Sequence, residues 1–143
     1  MTKKIAQLPA LFVRIALAAT MLSAVADRFG YWGNKATWGN WKSFEKYTAD
    51  LTFFLPDSLK VFSAYVATFL EIVLSVLLLL DYQLKWTATA TGVLLMLFAL
   101  SMSVSLGPKS ALDYSVWIGS AASFMLAVQK DNTTQTKLNL FKK

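Results

Sequence analysis

Two full charges lie inside stretches oily enough to cross a bilayer: Arg14 and Glu71. Glu71 sits in LKVFSAYVATFLEIVLSVLLLL, residues 59–80. From Val61 to Leu80 every other residue there is apolar, small or hydroxylated. About twenty such residues rise roughly 30 Å as a helix, the thickness of the hydrocarbon core. A carboxylate near the middle costs about 2.5–3.5 kcal/mol on insertion-type scales, so it demands a partner. Ala64, Thr68, Glu71 and Ser75 follow at three- and four-residue steps and share one helix face, which must look into a bundle. Measured from the same membrane edge, Arg14 lies roughly 8–9 Å deep and Glu71 roughly 14 Å deep. The difference is within reach of an Arg side chain. The spacing therefore predicts an Arg14–Glu71 ion pair, direct or through water, in an intramembrane polar site with Thr68 and Ser75. Such a pair is either a lock between two helices or a site for a ligand head group or a proton. The lock is the plainer reading, because removing one partner of a buried pair is costly whatever its role. A third reading has Arg14 snorkel to the interface and leaves Glu71 protonated.

A second polar pair, Asp27-Arg28, stands where the first oily stretch ends. It either anchors that end or lines an entrance with Trp32 and Trp38; the anchor is the simpler role. Beyond these pairs the inventory is thin. The chain has no Cys and no His. That removes thiol redox chemistry and the usual ligands of zinc, haem and iron–sulfur clusters, so no metal site is expected. Ser and Thr have no base for a hydrolytic triad, and no catalytic residue is assigned. Gly30 and Gly33 make no phosphate loop, since no Lys-Ser/Thr follows at the required spacing.

The elements that must position these charges follow from hydropathy. Of 143 residues, 56% are hydrophobic and 15% charged, against about 25% charged in an ordinary soluble domain. One all-α domain is expected over residues 1–129: an integral membrane four-helix bundle with an extra amphipathic helix in its long first loop. The spans fall at about 9–28, 59–80, 86–106 and 112–129. Pro9 suits a helix first turn. Ala16, Thr20 and Ala24 make a small-residue stripe fit for close helix packing, as do Ser115, Gly119, Ser123 and Ala127 in the fourth span. That span is short and needs Ala111 and Leu112 to reach across. In the first span, Lys3, Lys4 and the Ala24-Val25-Ala26 run also resemble a cleavable signal peptide, although Pro9 and Arg14 interrupt it. Residues 40–55 repeat Trp41, Phe44, Tyr47, Thr48 and Leu51 at helical spacing, with Asn40 as N-cap, and should lie in the interface or cap the bundle. DYQLK (81–85) is a tight turn. Residues 130–143 read as a polar cytoplasmic tail.

Charge places this architecture in the membrane. Seven Lys lie on the side of the termini and six Lys or Arg on the other. The seven occupy shorter segments, which predicts both termini in the cytoplasm. No basic stripe interleaved with aromatics suggests nucleic acid. The expected surroundings are the lipid bilayer and a partner membrane or redox protein.

The Arg in LFVRIALAA, the Asp27-Arg28 pair, the long aromatic loop ending at Pro56 and the Glu in ATFLEIVLSVLLLL resemble the DoxX-like family of small four-helix bacterial membrane proteins, over about residues 9–129. The chain departs from that pattern at Ala18 and Ala19 and at Ser75, where the family usually has Gly, and at Asp27-Arg28, where it commonly has Lys. The resemblance implies an inner-membrane protein acting as a non-catalytic subunit or accessory of a redox or stress-related complex. It leaves open a quinone-sized ligand, with no other cofactor. The alternative is binding or transport of a small molecule such as a quinone, a lipid or a proton-coupled solute.

Overall fold

The computed structural model describes residues 2–140, with side chains over 7–129. It is all helical: α1 (Thr2–Arg28), a 3-10 turn (Gly33–Lys35), α2 (Trp41–Leu51), α3 (Asp57–Leu79), α4 (Leu84–Ser105), α5 (Pro108–Asp113) and α6 (Val116–Leu140). Four long helices form the bundle. Helix α1 packs on α3, α3 on α4, α4 on α6, and α6 back on α1. Segments Gln7–Arg28, Asp57–Leu79 and Leu84–Ser105 are long and apolar enough to cross a membrane.

The expected face of α3 is buried: Ala64, Thr68, Glu71 and Ser75 are all at most 6% exposed. Its other side, with Phe62, Phe69 and Val76, is exposed, as a lipid-facing surface should be. Leu74 and Leu78 join Leu17, Ala18 and Met21 of α1 and Leu84, Ala88 and Leu126 in the main core. A smaller core of Leu51, Ala99, Met102 and Ala111 ties α2, α4 and α5 together at the other end of the bundle. The turn into α4 is tight because Asp81 and Gln83 both adopt positive φ, 57° and 39°. The Thr91 and Ser103 hydroxyls of α4 bond back along their own helix, to Thr87 and Ala99. They need no external partner.

Three local expectations change. Pro9 lies inside α1 rather than opening it. The Ala16–Thr20–Ala24 stripe does not pack: Ala16 and Thr20 are exposed, while Leu17, Ala18, Met21 and Val25 face the bundle. Bulkier side chains fill the core better there, and the Thr20 hydroxyl satisfies itself on the Ala16 carbonyl at 2.8 Å. The fourth long helix does not begin near 112. Chain direction breaks at Ser115, φ 56°, so Ala111 and Leu112 belong to the separate α5. The apolar part of α6, Val116–Gln129, is correspondingly short. Its contact with α4 is close. Ser120 donates to the Gly92 carbonyl at 2.8 Å, and a Cβ at Gly92 would lie 2.9 Å from the Phe124 ring. Helix α6 runs on to Leu140, so the expected tail at 130–143 starts within it; the side chains of that tail lie outside the described residues.

Candidate functional site

The charged centre of the molecule is built where α1 ends and the connection folds back over it. Asn40 caps α2 by accepting from the Ser43 amide at 2.9 Å, which fixes where α2 starts. Phe44, Thr48 and Leu51 of α2 turn inward. The segment between α1 and α2 then closes over the last turn of α1. Gly30 (φ 78°) is needed for this: a Cβ there would meet the Gly39 carbonyl oxygen at 2.9 Å. Trp32 donates from Nε1 to the Ser23 carbonyl at 3.1 Å.

Asp27 and Arg28 hold this closure from below. The Asp27 carboxylate accepts from the amides of Thr37 (2.9 Å to one oxygen, 3.1 Å to the other) and Gly39 (3.2 Å), with longer contacts to Trp38. Three successive amides converging on one anion form a nest, here with a side chain as the anion. Arg28, 2% exposed, points the other way. Its guanidinium forms an ion pair with Glu71 and donates to the Thr68 hydroxyl. That hydroxyl in turn donates to the Ala64 carbonyl at 2.9 Å. The guanidinium carbon lies 3.7 Å from the Phe44 ring centroid and 5.6 Å from that of Trp38. A cation over aromatic faces in a desolvated site gains about 2 kcal/mol or more. Tyr47 tilts against Trp38 at 5.4 Å; burial and then the neighbouring Tyr114 push its phenol above the ordinary range.

The structure therefore brings Glu71 and Thr68 together with Arg28, not with Arg14. Arg14 donates through Nε to the Leu78 carbonyl at 2.8 Å and through a terminal nitrogen to Leu79 at 3.1 Å, and stands 3.5 Å from Asp81. The expected Arg14–Glu71 pair does not form, for a reason of register. Helices α1 and α3 run antiparallel, with Arg14 level with Leu78 and Arg28 level with Thr68 and Glu71. The last carbonyls of α3 have no partners within the helix and carry the negative end of its dipole, and Arg14 serves both needs. Arg14→Ala should cost about 1 kcal/mol, the scale of a lost helix-end contact. Thermal unfolding in detergent would test this, and a loss as large as that of Arg28→Ala would contradict it. Ser75 is fully buried one turn from Glu71, and its hydroxyl has no hydrogen-bond partner among the described residues. The ring walls Trp38 and Phe44 were not anticipated as partners of a charge. The available signal was an aromatic-rich loop directly following an Arg.

Among the described residues no group of His, Cys, Asp or Glu could hold a metal ion. The family model described as methylamine utilisation protein MauE matches residues 6–113. The chain belongs to the MauE family. The DoxX resemblance is thereby corrected, since MauE is a different family. An Arg, a polar pair and a Glu in oily helices are single-residue features that more than one family of four-helix membrane proteins can display. The MauE match spans α1 from residue 6 through α5, and so includes Asp27, Arg28, Thr68 and Glu71 together with the loop they hold. With its apolar helices, this MauE-family chain is a multi-pass membrane protein. Neither the curated proteins nor the solved structures give a match.

Proposed function

We propose that this chain is a non-catalytic accessory membrane protein of a methylamine-utilisation system, acting on a partner membrane or redox protein. The observation that supports this most is how the buried charges are used. Asp27 is spent on loop amides, and Arg28 and Glu71 on one another, on Thr68 and on two aromatic rings. All of them fix the shape of the segment over the α2 end of the bundle. That segment displays Phe29, Tyr31 and Trp32, and the connection after α2 adds Phe53 and Phe54 beside it, each at least half exposed. Rigid aromatic side chains on a preorganised backbone suit recognition of another protein, because little entropy is lost on docking. In this reading the chain lies in a bacterial inner membrane with both termini cytoplasmic, so the aromatic platform faces the opposite compartment. The chain has no Cys or His, so oxidation chemistry belongs to the partner.

Tyr31→Ala with Trp32→Ala tests the proposal in the native host. Methylamine-dependent growth and the amount of active amine-oxidising partner should both fall severalfold while this chain accumulates normally. Unchanged growth at unchanged accumulation would overturn it. A second reading, that Glu71 binds a small polar solute or a proton, draws on the Ser75 hydroxyl left unpaired one helical turn away.

A further inference from the structure

Two grooves lie end to end along the contact of α2 with α3. The first, about 370 Å³, is lined by Lys42 and Lys46 of α2, by Lys60 and Val61 of α3, and by Glu45 and Asp57. The second, about 430 Å³, has Phe29, Trp41, Tyr65, Thr68, Phe69 and Ile72 around it. Val61, Tyr65, Thr68, Phe69 and Ile72 form one stripe on α3. That stripe runs about 17 Å from Val61 to Ile72, close to the hydrocarbon depth of one leaflet. The charge on this path is confined to one end. Lys42 and Lys46, one helical turn apart, make no ion pair among the described residues. Of the two carboxylates, Asp57 is engaged by Lys60 at 2.8 Å and Glu45 accepts from Trp41 Nε1 at 3.1 Å. The other end is apolar, because the Thr68 hydroxyl is occupied by Arg28 and the Ala64 carbonyl. Between them Trp41 and Tyr65 sit ring to ring at 4.6 Å, the residue types that favour the boundary between headgroups and hydrocarbon.

We propose that this face binds a phospholipid with an anionic headgroup. The lipid phosphate lies against Lys42, Lys46 and Lys60, and one acyl chain lies over Tyr65, Phe69 and Ile72. A cationic groove alone would suit any anion, and an apolar groove alone any lipid. Their continuity in this order, along a helix that crosses the membrane, selects a molecule with both parts. The site adjoins the partner-docking platform, with which it shares Phe29, and a lipid held there would also fasten α2 to α3.

Trp41 is the reporter. The protein is placed in phosphatidylcholine vesicles containing phosphatidylglycerol with brominated acyl chains, which quench tryptophan on contact, and compared with vesicles in which phosphatidylcholine itself is brominated. Brominated phosphatidylglycerol should quench more strongly at equal mole fraction, and the excess should vanish in Trp41→Phe. The preference should fall about fivefold for each of Lys42→Gln and Lys46→Gln, since each lysine near an anionic surface adds attraction of that size. It should fall less for Lys60→Gln, whose ammonium is already paired with Asp57; the triple lysine change should abolish it. Equal quenching by the two lipids would overturn the proposal. So would a preference that survives the triple lysine change or the loss of Trp41. No excess quenching, with inorganic phosphate alone shifting the Trp41 fluorescence, would instead identify a free-anion site and reject the lipid.

Discussion

Glu71→Gln should remove most of the folded protein from the membrane. The change keeps the size of the side chain and an oxygen that can accept from Arg28, so packing alone predicts little loss. What it removes is the carboxylate that, among the described residues, pairs with a guanidinium 2% exposed. Leaving one member of a buried ion pair uncompensated costs about 3–5 kcal/mol, a large share of the stability of a small domain. The aromatic faces of Phe44 and Trp38 soften this cost without replacing the charge. Arg28→Ala should be at least as damaging, because it strands Glu71 and also empties the space between Thr68 and Phe44. Membrane abundance and thermal unfolding in detergent measure both. A Glu71→Gln protein as abundant and as stable as the parent would show that the pair contributes nothing to folding.

Asp27→Ala should produce a different, local failure. Three loop amides lose a charged acceptor at once. Hydrogen bonds to charged groups are worth about 1.5–3 kcal/mol each, but amides near the surface recover part of that from water, so a net loss of about 2–4 kcal/mol is expected. Because the nest lies outside the helical core, the loss should appear first as opening of residues 30–40. Amide exchange at Thr37 and Gly39 should speed up about thirtyfold to several-hundredfold, given the size of the lost stabilisation, while α3 and α4 stay protected. Proteases should cut the loop before they cut the helices. Asp27→Asn keeps one acceptor oxygen and should fall between the two. If exchange at Thr37 and Gly39 were unaltered in Asp27→Ala, the nest would not be what holds the loop.

The helical bundle was legible because hydropathy reports directly on what lipid requires. Helices α3 and α4, the tight turn between them, the Asn40 cap and the buried face of α3 all follow from local pattern. The pairing of charges was not legible in the same way. Depth counted from the ends of two helices made Arg14 and Glu71 neighbours, because each end was taken to sit at a membrane edge. Arg28, the last residue of α1, looked like an edge charge. It becomes interior only because Gly30 lets the chain turn, Asp27 gathers the returning amides, and Trp38 and Phe44 close over the guanidinium. The last of these is not local to Arg28, since Trp38 belongs to the returning segment and Phe44 to α2. The break at Ser115 was equally silent, since a positive φ on a serine leaves no Gly or Pro to mark it. The family is hard to read from these residues for a related reason: isolated polar residues in oily helices are dictated largely by folding in lipid, and so are shared between families.

On the proposed reading, Arg28 and Glu71 hold the loop in place and do no chemistry. Arg28→Met with Glu71→Leu tests it most directly. The pair is replaced by apolar side chains of similar volume, with Met still able to pack on Phe44. This double variant should regain the membrane abundance lost in Glu71→Gln and support methylamine-dependent growth like the parent. A double variant that folds and accumulates normally but fails to support growth would contradict it, and would assign the buried pair a direct part in the chemistry.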